Sequence, residues 1–234
     1  MIEGKKIKKV FKSGIFGGKT VVAVDNVDIT VYDGETVALV GESGSGKSTL
    51  GRILLMLIKP DEGRVIFDGV DLTKLKGREL RRIRTKMQLI PQNPEEALDP
   101  RWRIYDSIAE PIRIHKLADS RNEEEELILE LIRAVGLKEE HLNRYPHELS
   151  GGELQRAVIA RALTLNPKFI VCDEPTSMLD ISTQASIVRL LMEFQKKLGI
   201  SYLFITHDLE LAEVIADRIL VMRSGKIVDE RSLH

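Results

Sequence analysis

The sequence predicts an α/β fold with a mostly parallel core sheet, on three observations. Apolar runs of strand length recur at Thr36 to Val40, Phe169 to Cys172 and Tyr202 to Ile205. Stretches with helical spacing of apolar residues lie between them, and the first run passes through a glycine-rich turn directly into such a stretch. Strands that alternate with helices favour parallel pairing, because a parallel pair needs a long crossover connection.

Taken in order, the chain opens with MIEGKKIKKVFKSG, which is basic but lacks the apolar stretch of a secretory signal, and the part before the glycine-rich turn reads as β-rich. Thr36 to Val40 is a buried strand, and the apolar helical stretch Thr49 to Ile58 must stop before Pro60. DEGRVIFDG then reads as a strand between turns. From residue 93 to 146 the β-branched runs vanish, and Ile104 to His115 and Glu123 to Val135 carry helical spacing. This predicts a helical subdomain at 93–146 inserted into a catalytic core of residues 1–92 and 147–234. In its second helix Leu127, Leu131 and Val135 define the apolar face, and the acidic start Glu123 to Glu126 reads as solvated.

Composition narrows the function classes. With 35 Lys+Arg against 36 Asp+Glu in 234 residues, the net charge of -1 argues against a nucleic-acid partner held by bulk charge. The single cysteine, Cys172, lies in an apolar run, so neither an internal disulfide nor a cysteine-based metal cluster is available, and a reducing compartment fits. No stretch approaches the roughly 18 apolar residues of a membrane span. A role at a membrane would require a partner that spans it.

The chemistry starts at Gly41-Glu42-Ser43-Gly44-Ser45-Gly46-Lys47-Ser48-Thr49, a complete P-loop pattern between a strand and a helix. Its glycines let backbone N–H groups turn inward around phosphates, and the following helix adds about half a positive charge at its N-terminus. Lys47 would neutralise β- and γ-phosphates and the Ser48 hydroxyl would ligate Mg²⁺. Asp173 and Glu174 end an apolar strand, where a parallel sheet presents ligands: Asp173 to hold Mg²⁺ through water, Glu174 to orient and polarise an attacking water. The bland readings are a flexible turn and two surface acids. A P-loop NTPase with Mg²⁺ and nucleotide unites them.

Leu149-Ser-Gly-Gly-Glu-Leu-Gln-Arg156 adds a second candidate phosphate-binding helix start, capped by Ser150. With these residues the sequence resembles the ATP-binding subunits of ABC transporters over essentially its whole length. The resemblance implies that Ser150, Gly151, Gly152 and Glu153 complete the ATP site of a partner subunit in a head-to-tail dimer. It implies a Q-loop at Gln92, contacting Mg²⁺ or the lytic water, a D-loop at Ser177-Met-Leu-Asp180, and a switch histidine at His207 contacting the γ-phosphate. Asp180 is open between that role and helix capping. The adenine would stack on an N-terminal aromatic, Phe11 or its competitor Phe16.

Within the family the sequence is most similar to the oligopeptide and dipeptide importers, a branch that includes nickel importers, through QNPEEALDPRW, YPHELSGGELQR and LFITHDLELAEVIADRI. The implied cofactors are ATP and Mg²⁺. The implied partners are a second ATP-binding subunit, transmembrane permease subunits and, indirectly, an extracytoplasmic solute-binding protein, placing the chain peripherally on the cytoplasmic side of the cell membrane. Peptide and nickel stay open, as does a non-transport ABC ATPase, although DNA-repair types carry a long coiled coil and translation types carry two cassettes. Two departures stand out: Glu153 replaces the usual glutamine, and the sequence ends at His234 without the C-terminal extension common in the branch, an ending open between natural and truncated. The segment from Asn93 to Tyr105, with the single tryptophan Trp102, is the expected permease surface unless Trp102 is core.

Overall fold

A computed structural model describes residues 1–12 and 20–233. In chain order the elements are β1 (Ile2–Lys12), β2 (Thr20–Val31), β3 (Thr36–Val40), α1 (Lys47–Leu54), β4 (Glu62–Phe67), β5 (Val70–Asp71), α2 (Gly77–Arg84), β6 (Met87–Ile90), α3 (Ile104–His115), α4 (Arg121–Ala134), α5 (Gly151–Leu163), β7 (Phe169–Asp173), α6 (Ile181–Leu198), β8 (Ser201–Thr206), α7 (Leu209–Ile215), β9 (Arg218–Arg223) and β10 (Lys226–Ser232). Two sheets result: a four-stranded antiparallel sheet ordered β2-β1-β4-β5, and a six-stranded sheet ordered β10-β9-β3-β8-β7-β6. Pairing of β3 with β8 and β9, and of β7 with β8, is parallel, and β10 closes one edge antiparallel to β9.

The chain divides into two compact units, the first Met1–Gln88, Lys168–Glu174 and Gln195–His234, the second Leu89–Pro167 and Pro175–Phe194. In the first, β3, β7 and β8 are buried at every position, as apolar runs covered on both faces require. Helix α1 lies against β7 and β8 at Gly51, where a Cβ would come within 2.8 Å of Val171 Cγ1 and 3.1 Å of Ile205 Cδ1. Arg218, at the start of β9, ties strands together: its Nε donates to Glu35 at 2.8 Å and its Nη1 to Glu230 at 2.6 Å.

Helix α1 is displaced from the expected Thr49 to Ile58. It begins at Lys47 and ends at Leu54, because Met56 adopts φ 54 and Leu57 N–H returns to the Arg52 carbonyl at 2.8 Å. That closure satisfies carbonyls of the last turn without glycine.

The second unit packs α3, α4 and α5 around Ile104, Ile108, Ile112, Ile128, Ile132, Leu154 and Val158. The inward stripe of α4 is Glu124, Ile128, Ile132 and Val135, one position on from the expected Leu127 and Leu131, which are half-buried. Glu124 therefore leaves the solvated face assigned to its acidic run. It is buried, and it is neutralised there by Arg113, whose Nη2 and Nε reach its two oxygens at 2.7 and 2.8 Å, and by Tyr105 Oη at 3.0 Å. Four residues before Ile128, position 124 shares its face, and a charge there requires partners. No helix among the described residues is long and apolar enough to cross a membrane.

Candidate active site

Strand register brings three chain segments of the first unit to one edge. Val40 is opposite Thr206 and Asp173 opposite Ile205, so the residues after β3, β7 and β8 emerge side by side at the carboxyl ends of parallel strands. Those residues are Gly41, Glu174 and His207.

The loop from Gly41 to Gly46 takes a shape that excludes side chains at two points. Gly46 has φ 107, and a Cβ there would stand 2.0 Å from the Ala23 carbonyl oxygen; one on Gly41 would stand 2.1 Å from that of Met222. Glu42, Ser43 and Gly44 form the exposed tip, whereas Ser45 is buried and its Oγ has no hydrogen-bond partner among the described residues. A buried polar atom left unmatched in a glycine-rich loop before a helix N-terminus fits an anion from outside the chain.

Lys47 is 4% exposed, and its Nζ donates to the carbonyls of Gly41 at 2.7 Å and Glu42 at 2.9 Å. Burial pushes its ammonium below the ordinary value, against the pull of Glu174 and Asp173. Ser48 Oγ donates to Asp173 Oδ1 at 2.7 Å, and Thr49 is half-buried behind it. Burial holds the Asp173 carboxyl above its usual range, although Ser48, Arg52 and Lys47 pull it down. Lys47, Ser48 and Asp173 are thus one cluster.

Glu174 adopts φ 49, a left-handed conformation that costs a residue with a Cβ about 1–2 kcal/mol. The conformation lets its N–H bond the Ile205 carbonyl at 3.0 Å and its Oε2 approach His207 Nδ1 at 3.3 Å. Beyond His207, Asp208 N–H bonds Thr206 Oγ1 at 3.0 Å and Asp208 caps α7 through Leu211 N–H, which fixes the turn carrying the histidine. Phe11 is exposed on β1 with Lys9 Nζ 5.6 Å from its ring centre. Phe16 lies outside the described residues.

The remaining candidates fall in the second unit. Gln92 lines a cavity of about 420 Å³ with Gly151, Leu154, Gln155, Met178 and Leu179. Ser150 caps α5 in a reciprocal box with Glu153, accepting its N–H at 3.4 Å while Glu153 Oε2 accepts the Ser150 N–H at 2.9 Å and hydroxyl at 2.8 Å. Gly152 has a packing role besides any ligand: a Cβ would stand 2.6 Å from Thr183 Cγ2. Asp180 is fully engaged as the cap of α6, accepting from the N–H groups of Ser182 and Thr183 and from both hydroxyls, which holds its carboxyl well below the usual range.

Sequence reading passed over Gly51, Arg52 and His141. A glycine inside a helical stretch is itself a signal of close approach, and Gly51 offered one. Arg52, one helical turn after Ser48, pulls the Asp173 carboxyl down electrostatically, a spacing that only the position of β7 makes meaningful. His141 carries no local pattern.

The family model described as "ABC transporter" matches residues 24–177. The chain is 46% identical over 229 residues to an oligopeptide transport ATP-binding protein, OppF, of Streptococcus mutans serotype c, covering 98% of this chain and 74% of that one. It is 46% identical to a dipeptide transport ATP-binding protein, DppF, of Lactococcus lactis subsp. cremoris, covering 98% and 73%. Among solved structures, a dimeric post-hydrolysis state of the ATP-binding cassette MJ0796 bound to ADP and Pi superposes with a TM-score of 0.91 at 33% identity, covering 100% of this chain and 99% of that one.

Proposed function

The chain belongs to the ABC transporter family of ATP-binding proteins, and on that premise we propose that it is the ATP-hydrolysing subunit of a peptide importer. It is an ATPase. The observation that carries the site assignment is the cluster in which Ser48 Oγ meets Asp173 Oδ1 at 2.7 Å directly after the buried Lys47, with Glu174 and His207 3.3 Å apart on adjacent strand ends.

In this reading the backbone from Gly41 to Gly46, with Ser45 and Thr49, binds the triphosphate, and Lys47 exchanges its two loop carbonyls for β- and γ-phosphate oxygens. Ser48 and Asp173 would hold Mg²⁺, and Gln92 keeps the role that the family resemblance gives its Q-loop glutamine, contact with Mg²⁺ or the lytic water. The ion, when bound, neutralises charge developing between the β- and γ-phosphates. Glu174 accepts the proton of the attacking water at its carboxylate, and His207 keeps that carboxylate oriented through Nδ1. Phe11 stacks on adenine. Ser150, Gly151 and Gly152 bind the γ-phosphate held by a second ATP-binding subunit, Glu153 contributes to that site by holding Ser150 as the cap of α5, and Asp180 shapes that interface by fixing the start of α6.

Domain roles follow: 93–146 acts as the helical subdomain, and residues 1–92 and 147–234 as the catalytic core. Permease helices dock on Asn93 to Tyr105, holding the chain at the cytoplasmic face, and a solute-binding protein delivers peptide from the other side. Trp102 is 39% exposed, which supports an interface role over a core one. Leu98, in contrast, is buried, so a charge there would unfold the segment; the test belongs at Ala97 and Trp102.

The experiment is isolation of the chain from detergent-solubilised membranes with its permeases, followed by hydrolysis assays in vesicles. Stimulation by peptide-loaded binding protein is expected. Stimulation by a nickel-loaded one alone would refute peptide import, and absence of any membrane partner would refute the transporter reading. Ala97→Asp should weaken co-isolation while sparing hydrolysis by the isolated subunit.

A further inference from the structure

A buried histidine outside the nucleotide cluster lies next to Glu153 in the first turn of α5. His141 is 6% exposed, in the short 3-10 turn Glu139–Asn143. Its Nδ1 accepts the N–H of Lys138 at 3.1 Å, so in the neutral ring the proton resides on Nε2. Nε2 lies 3.4 Å from Glu153 Oε1 and 3.9 Å from Glu140 Oε1. The other oxygen, Oε2, takes both the N–H and the hydroxyl of Ser150. The groups form a chain: Lys138 N–H to His141, His141 to Glu153, Glu153 to Ser150.

We propose that His141 is a positioning residue which, through Glu153, sets how readily Ser150 and its helix start receive the partner's γ-phosphate. This rests on the signature reading of Ser150 to Glu153. Glu153 places an ionised carboxylate where a phosphate must approach; the Ser150 donors, then His141 and Arg144, keep it charged. An ionised neighbour repels the phosphate and competes for the Ser150 hydroxyl proton. A donor on Oε1 draws charge toward the far oxygen and fixes the carboxylate's rotation. Without that donor the charge is shared evenly between the two oxygens, so more of it falls on the Ser150 side.

The test is ATP hydrolysis by the complex isolated with its membrane partners. His141→Phe keeps a ring but removes the donor, and should raise the KM for ATP about tenfold, the size of one hydrogen bond to a charged group, with kcat little changed. In a Glu153→Gln background, where the charge is gone, the same substitution should shift KM less than about twofold. His141→Gln, which retains a donor, should stay near the parent, and His141→Leu serves if the phenyl ring is not accommodated. An equal shift in both backgrounds, or none in either, overturns the proposal. Ser150→Ala tells its failure from failure of the signature reading: if Ser150→Ala leaves KM and kcat unchanged, the signature reading falls and the proposal with it.

Discussion

Gly51→Ala sets two effects of opposite sign against each other. In an exposed helix the substitution would stabilise by roughly 0.5–1 kcal/mol, because glycine loses more backbone entropy on folding than alanine. In α1 the new Cβ would lie 2.8 Å from Val171 Cγ1 and 3.1 Å from Ile205 Cδ1, with both partners essentially buried on adjacent strands. The closer atom, Val171 Cγ1, cannot yield, because a branched side chain in a strand is stiff at χ1; Ile205 Cδ1, a terminal methyl, gives way only within a packed core. Helix and sheet must therefore separate, and overpacking of this kind costs about 1–3 kcal/mol. Overpacking wins, by about 1 kcal/mol net, which at this chain length lowers the melting temperature by about 2–4 °C. Because α1 also carries Lys47 and Ser48, separation stretches the 2.7 Å Ser48–Asp173 contact and should reduce ATP hydrolysis. The assay is thermal and urea unfolding of Gly51→Ala, alone and with Val171→Ala, which removes the methyl group in the way. In the Val171→Ala background Gly51→Ala should become neutral or stabilising. A raised midpoint for Gly51→Ala alone, or an unchanged cost in the double variant, would refute the steric reasoning.

Lys47→Ala should lose most nucleotide affinity in a fluorescent-nucleotide titration, whereas His207→Ala should bind normally and hydrolyse slowly; equal loss of binding in both would contradict the division of roles. Asp173→Asn should stabilise the nucleotide-free fold, because burial raises the Asp173 carboxyl and ionising it in the folded chain costs stability. That cost is absent where folded and unfolded chains are both protonated, grows above the unfolded value near pH 4 and is complete above the folded one. The gain in urea midpoint should therefore be larger at pH 8 than at pH 4, and the opposite trend would refute it. Glu124→Ala should destabilise by about 1–2 kcal/mol, the cost of leaving Tyr105 Oη and Arg113 without their acceptor, moderated by the half-exposure of Arg113; an unchanged denaturation midpoint would show that water replaces the carboxylate.

What the sequence by itself determined is what neighbouring residues decide together. Thr36 to Val40, Phe169 to Cys172 and Tyr202 to Ile205 are strands because an uninterrupted apolar run has no polar face to offer water. Ile104 to His115 is a helix with the limits its spacing predicts, and Ser150 caps α5 through a box closed by Glu153 three positions on. The family was legible for the same reason, since its motifs are short and contiguous. Tertiary structure alone decided the rest. Which face of α4 is inward depends on α3 and α5, so Glu124 went inside although its four-residue acidic run reads as solvated. The left-handed Glu174 depends on a carbonyl of β8, thirty-one positions along the chain, and no local preference of glutamate leads there. Gly51 answers to Val171 and Ile205, and His141 to Glu153, across separations that carry no periodicity. Local pattern encodes an element and its chemistry; the partner that a side chain meets at long range is encoded only in how the elements pack.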